Sequence, residues 1–377
     1  MPHLGRLLAL LLLLGATCLA AAQAPATRPY VITGYVFARG GALSAGQFDA
    51  TNLTRINYAF ANIQDGRMVT GSPADAENFA FLRSLRTAKP NLTLLVSVGG
   101  WLWSTNFSDM ALTRESRTVF EDSVMQFLTR YDLDGLDIDW EYPGLPGAGH
   151  PFRPEDKQNF TALLRDLRER FDASARRGRR LYLTIAMGAS DEVIANTEMQ
   201  KVQRYVDTVN LMTYDYYEPG SESITGNHAP LYADPADPKA ASSADTVRTF
   251  EKAGVPAEKI LLGVPFYGHE WGQVKDQNHG LFQVGKAVPG AYTPFSVIEP
   301  TMLGHGFTRY WDEAAKVPYL YNPDQKIFVS YEDPESIKLK CQYIRSQKLG
   351  GVMLWEYFGD SNGKLLRTIH SELGKRQ

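Results

Sequence analysis

Asp137, Asp139 and Glu141 alternate with Leu136, Ile138 and Trp140 in the run from Leu133 to Gly144. A strand turns successive side chains to opposite faces, so the three carboxyls share one side. Their Cα atoms follow one another at roughly 6.5–7 Å per two residues, near enough for mutual repulsion to keep a proton on the group around neutral pH. Such a group is a proton donor. The apolar face opposite marks an inner strand covered from outside by helices, with the acids turned into a barrel mouth. The competing reading is a half-exposed strand whose polar face meets water, and the rest of the chain has to decide between the two.

Eight short β-rich runs could carry such a site, at 31–37, 55–60, 92–98, 135–141, 181–187, 208–213, 260–265 and 351–355. Between them lie segments with helical spacing, such as Val119, Phe120, Val124, Phe127 and Leu128, or Phe160, Leu163, Leu164, Leu167 and Phe171. This alternation predicts an α/β fold, a (β/α)8 TIM barrel, with reactive residues at the C-terminal ends of its strands. Glu141 stands at such an end. The interval 269–328 breaks the rhythm, being longer than a βα connection and rich in Gly, Pro and aromatics. It is expected to fold as an insertion between strands 7 and 8, walling the groove rather than joining the acid machinery. With 377 residues and 44% hydrophobic content, one large barrel spanning 23–377 around that insertion is allowed.

The start has the form of a secretory signal: Arg6, the apolar run from Leu7 to Leu14, then Ala20-Ala21-Ala22-Gln23. The run is short for a membrane span, so 1–22 is expected to be cleaved near Ala22 and the product secreted, extracellular or periplasmic. A lipid anchor at Cys18 is the weaker alternative, since Gly15 and Thr17 fit its signal poorly. The formal charge of −3 carries no basic nucleic-acid footprint. Cys341 is the one cysteine beyond the leader, so no intrachain disulfide can form; with Ile337 and Ile344 at helical spacing it reads as a buried core thiol. Histidines 150, 228, 269, 279, 305 and 370 show no metal-ligand spacing, and neither metal nor cofactor is expected.

Asp134-x-x-Asp137-x-Asp139-x-Glu141 resembles the DxxDxDxE signature of family 18 glycoside hydrolases, the chitinases and their relatives. Further stretches resemble the family's other strands in order: Ser97-Val98-Gly99-Gly100-Trp101, Met212-Thr213-Tyr214-Asp215, Gly263-Val264-Pro265-Phe266-Tyr267-Gly268 and Gly351-Val352-Met353-Leu354-Trp355. Each is weak alone, whereas the ordered set is specific. The resemblance implies a barrel with a small α+β insertion domain, no cofactor, and hydrolysis of β-1,4-linked N-acetylglucosamine polymers or oligomers with retention. It implies Glu141 as the acid and the sugar's own acetamido oxygen as nucleophile. Asp139 would hold the acetamido N–H, Asp137 would share proton and charge beneath it, and Tyr214 would donate to the acetamido oxygen. Asp215 would bind the same sugar, Met212 and Gly100 would contact substrate, and Tyr35, Phe60, Trp101, Tyr267 and Trp355 would line the cleft, with Trp355 as its floor. Trp103, Trp140, Trp271 and Tyr142 are weaker cleft candidates, because aromatics near strand ends are often core. Gly99 and Gly100 would let the backbone pass close to the acids.

Two departures from the pattern fall on the leaving-group side of the groove. His269 stands where the family often has Arg, and Tyr216-Tyr217-Glu218 follows Asp215 in place of small or amide side chains. A secreted chitinase, a monomer acting on chitin or chito-oligosaccharide with neither nucleic acid nor membrane as partner, is the first reading. An endo-β-N-acetylglucosaminidase or peptidoglycan hydrolase of the same family, or a non-catalytic chitin-binding lectin on this fold, is the alternative; a lectin would normally lack the acid at Glu141.

Overall fold

A computed structural model describes residues 29–176, 178–221 and 223–374. The expected leader, 1–22, lies outside the described residues. In chain order the strands are β1 (Val31–Phe37), β2 (Arg55–Gln64), β3 (Arg67–Val69), β4 (Thr93–Gly99), β5 (Gly135–Asp139), β6 (Tyr182–Gly188), β7 (Thr208–Met212) and β8 (Ile260–Pro265). There follow β9 (Tyr267–Gly272), β10 (Lys286–Pro294), β11 (Thr308–Asp312), β12 (Val317–Asn322), β13 (Ile327–Ser330) and β14 (Gly351–Trp355). Eight of them form a parallel ring in the order β1-β14-β8-β7-β6-β5-β4-β2, closed by pairing of β1 with β2. The fold is a (β/α)8 TIM barrel.

These strands form because both faces find apolar cover. In β4, Thr-Leu-Leu-Val-Ser-Val-Gly, every residue after the first is buried, as expected for a parallel strand between an interior and a helical shell. The helix Arg114–Arg130 starts at Thr113, whose side chain accepts from the Ser116 N–H in a capping box. The helix Asp156–Ala175 buries Phe160, Leu163, Leu164, Leu167 and Phe171. Trp140, a weak cleft candidate, points into this shell: it stacks on Phe107 at 5.1 Å and meets Phe160 edge-on at 5.8 Å. Cys341 is buried, and burial pushes its thiol up to about 12, which leaves it inert. No helix among the described residues is long and apolar enough to cross a membrane.

Strand β5 is shorter than the alternation suggests, stopping at Asp139 rather than Glu141. The backbone there leaves the ladder for the loop after β4: the Gly100 N–H donates to the Asp139 carbonyl at 2.8 Å, and the Glu141 N–H to Ser104 Oγ at 2.9 Å. The acid is thus fixed by a neighbouring loop just beyond its strand.

Strands β9 to β13 make a separate antiparallel sheet in the order β10-β9-β13-β12-β11. It packs the helix Phe295–Thr301 and its own aromatic core, in which Trp271, Tyr319, Tyr321 and Phe328 meet Tyr217 from the loop after β7. The sheet begins at Tyr267 and ends at Ser330, two residues beyond 269–328 on each side.

Candidate active site

Asp137 lies fully buried inside the ring, in register with Ser97 of β4 and Thr184 of β6. Its Oδ2 accepts from the Tyr35 hydroxyl at 2.8 Å and Ser97 Oγ at 2.7 Å. Its Oδ1 accepts from Thr184 Oγ1 and from Asn210 Nδ2. A further chain runs down the interior: Asn210 Oδ1 accepts from Thr208 Oγ1, which accepts from Arg55 Nη1 at 2.9 Å. Burial nevertheless pushes the Asp137 carboxyl up, against the pull of these hydroxyls and of the Arg55 charge.

One step toward the mouth, Asp139 is buried and its Oδ1 has no hydrogen-bond partner. Burial first, then the charges of Glu141 and Asp137, raise its carboxyl well above the ordinary range. Glu141 is pushed up to about 7, again by burial first, with Asp215 and Glu218 adding repulsion. A proton is therefore held near neutral pH as the spacing suggests, though desolvation outweighs the repulsion from which the sequence reading began. The backbone makes this crowding possible. A Cβ on Gly99, at φ +107°, would sit 2.2 Å from the Asp139 carbonyl oxygen, and one on Gly100, at φ +82°, would sit 2.8 Å from the Phe60 ring.

A groove of about 1050 Å³ opens over these acids. It is lined by Glu141, Asp139, Tyr214, Tyr35, Phe60, Gly100, Trp101, Met212, Asp215, Tyr267 and Trp355, so of the twelve expected site residues Asp137 alone lies beneath it. Trp103 and Tyr142 also line the groove, whereas Trp271 is in the core of the second sheet. Trp355 lines the groove stacked beside Phe60 at 5.6 Å and Phe37 at 6.0 Å. Trp101 is half exposed on the rim. The Tyr214 hydroxyl meets Met353 Sδ at 3.9 Å, a weak acceptor.

Asp215 leaves β7 at φ +60°. Its Oδ1 accepts from the Tyr267 hydroxyl at 2.6 Å and faces His269 Nε2 at 2.8 Å, with His228 Nδ1 at 3.7 Å. Burial alone would raise this carboxyl, but the two imidazoles hold it well below the usual range. Burial also pushes His228 down to about 4. Linear spacing hides this cluster, because its members stand at 215, 228 and 269. Sequence reasoning also missed Tyr292, which stacks on Tyr267 at 4.1 Å and lines the groove from β10. No periodicity marks it, since β10 shifts register between Ala287 and Tyr292. With His269, it brings the second sheet to the edge of the groove.

Residues 31–360 match the profile of the glycosyl hydrolases family 18. Over 98% of its length the chain is 37% identical to Chitinase A1 of Niallia circulans, of which it spans 62%. It is 33% identical to Chitotriosidase-1 of Mus musculus over 86% of its own length and 73% of that protein. Among solved structures it resembles a glycoside hydrolase family 18 N-acetylglucosaminidase from Paenibacillus barengoltzii, with TM-score 0.84, 42% identity, and 91% of this chain and 100% of that one covered. It also resembles a Class V chitinase from Nicotiana tobaccum in complex with NAG4, with TM-score 0.83, 29% identity, and 92% and 99% covered.

Proposed function

The chain belongs to glycosyl hydrolase family 18, and from that premise we propose that it is a secreted chitinase cleaving β-1,4-linked N-acetylglucosamine by substrate-assisted retention. The observation that carries this is the pairing of Asp139 and Glu141: a buried carboxyl oxygen without a partner beside a carboxyl that keeps its proton to about pH 7. An acetamido N–H supplies the partner that Asp139 Oδ1 lacks. Glu141 then protonates the leaving oxygen while the acetamido carbonyl oxygen attacks the anomeric carbon, giving a cyclic oxazolinium ion that water opens with net retention. Tyr214 exchanges its weak sulfur contact for the acetamido oxygen and fixes the line of attack. An intramolecular nucleophile held this way is worth up to roughly 7–11 kcal/mol in favourable cases. Trp355 supports the apolar face of the sugar.

The test is the time course of products from reduced chitohexaose, with the first-formed anomer followed by NMR. Soluble chito-oligosaccharides appearing first as the β-anomer are expected; an inert hexamer or an inverted product would refute the proposal. A second reading rests on the 42% identity to the Paenibacillus N-acetylglucosaminidase across that entire chain. Under it the sole early product is the monosaccharide, which the same time course reveals.

The proton on Glu141 also sets the sign of the pH dependence. The acid is loaded below about 7 and empty above it, so kcat/KM on chitotetraose should fall by about tenfold per unit once pH exceeds that value. A rate that holds level to pH 9 would remove Glu141 from the acid role.

A further inference from the structure

Asp215, His228 and His269 come from three separate stretches of chain, yet one ligand-type atom from each lies within 4.8 Å of the others. His228 is wholly buried, and neither of its ring nitrogens has a hydrogen-bond partner. Leaving such buried polar groups unpaired is unfavourable, and Nδ1 faces Asp215 Oδ1 across 3.7 Å, too far for a hydrogen bond. The frame around the cluster is fixed. The His228 backbone N–H donates to Ser330 Oγ at 2.9 Å and its carbonyl accepts from the Tyr216 N–H at 3.1 Å. His269 is held within β9 between Tyr292 of β10 and Ser330 of β13.

We propose that Asp215, His228 and His269 form a binding site for a divalent transition cation, best suited to Zn2+, and that the bound ion blocks the leaving-group side of the groove. The donor set supports the choice of metal, since imidazole nitrogens with a carboxylate oxygen suit zinc, while calcium and magnesium take oxygen ligands. The spacing supports it as well. Ligands at about 2.0–2.1 Å from a tetrahedral zinc stand roughly 3.3–3.4 Å from one another. The observed separations from Asp215 Oδ1, 2.8 Å to His269 and 3.7 Å to His228, bracket that value, and all three ligand atoms lie within 4.8 Å of one another, so side-chain adjustment around the ion is needed to complete the site. Asp215 and His269 both line the groove, which gives the ion access and leaves a fourth position for water or a sugar hydroxyl. Occupation ties up the Asp215 oxygen that Tyr267 now uses and fills space a leaving sugar needs. This inhibitory consequence rests on the hydrolase reading; the binding itself does not.

The experiment is titration calorimetry of the full chain, stripped with chelator and then freed of it, against ZnCl2. One ion per chain with a dissociation constant in the micromolar range or tighter is expected, weakened at least tenfold in His228→Gln and in His269→Gln. Co2+ in place of Zn2+ should give the visible absorption of a four-coordinate site. Thermal melts without metal establish that each variant is folded. Should His228→Gln fail to fold, imidazole nitrogen NMR of the unaltered protein decides, because two histidines must shift together as Zn2+ is added. No one-site binding, unchanged affinity in folded variants, or no paired imidazole shift would overturn the site. Binding that leaves chitotetraose hydrolysis unchanged in a protein otherwise active would overturn the blocking role. A protein that binds Zn2+ and hydrolyses nothing would sink the chitinase proposal and leave the metal site standing.

Discussion

Glu141→Gln is expected to fold, to bind chito-oligosaccharides, and to turn them over more slowly by roughly 10²–10⁴-fold, because the exchange removes the transferable proton and little else. The amide keeps the shape of the side chain, and the link from the residue's own backbone N–H to Ser104 Oγ is untouched. Burial, which holds the proton on the carboxyl, places no ionised group in the variant, so the fold has no new charge to accommodate. Chromogenic substrates with strongly acidic leaving phenols need no protonation to depart. The loss on those should be much smaller than the loss on chitotetraose, a contrast that general damage to the groove would not produce. Near-normal turnover of chitotetraose by the folded variant would withdraw Glu141 from the mechanism.

Asp139→Asn is expected to lower kcat by roughly 10²–10³-fold, the scale for removing one preorganised electrostatic stabiliser, with little change in KM. The interaction at issue grows as positive charge develops on the oxazolinium ion, so it belongs to the transition state more than to the bound substrate. Asp137 cannot take over, since its two oxygens are already engaged by Tyr35, Ser97, Thr184 and Asn210. Steady-state kinetics on chitohexaose, with melting curves to establish the fold, make the measurement. A variant whose KM rises while kcat holds would show that Asp139 binds the sugar in the ground state and does not serve the chemistry.

The ring was legible because its strands are short apolar runs separated by helical periodicities, and three of the eight, Val31–Phe37, Ile260–Pro265 and Gly351–Trp355, have the bounds the pattern suggests. The acids were legible because period two fixes which side chains share a face. Where β5 stops was not, since its end depends on a loop thirty-five or more residues away that captures the backbone of Asp139 and Glu141. The Asp215, His228 and His269 cluster and the stack of Tyr292 on Tyr267 were hidden for a related reason. They arise where a second sheet folds back on the first, and a one-dimensional pattern carries no signal for that return. Arg55 escaped notice too, because a lone Arg opening a strand reads as a surface charge, whereas here it is buried inside the ring.

Between β8 and β9 stands the single residue Phe266. Its N–H donates to the Trp355 carbonyl at 2.8 Å, its carbonyl accepts from the Phe295 N–H at 2.9 Å, and its ring is fully buried. Domain closure needs a few residues free to absorb large backbone rotations, and this junction offers none. A swing of the second sheet about Phe266 would have to break both of these bonds and uncover the buried ring. In the chitinase proposed above, product release is then expected to depend on the grip of groove aromatics such as Trp355 and Tyr292 on the sugar rings rather than on a hinge at Phe266.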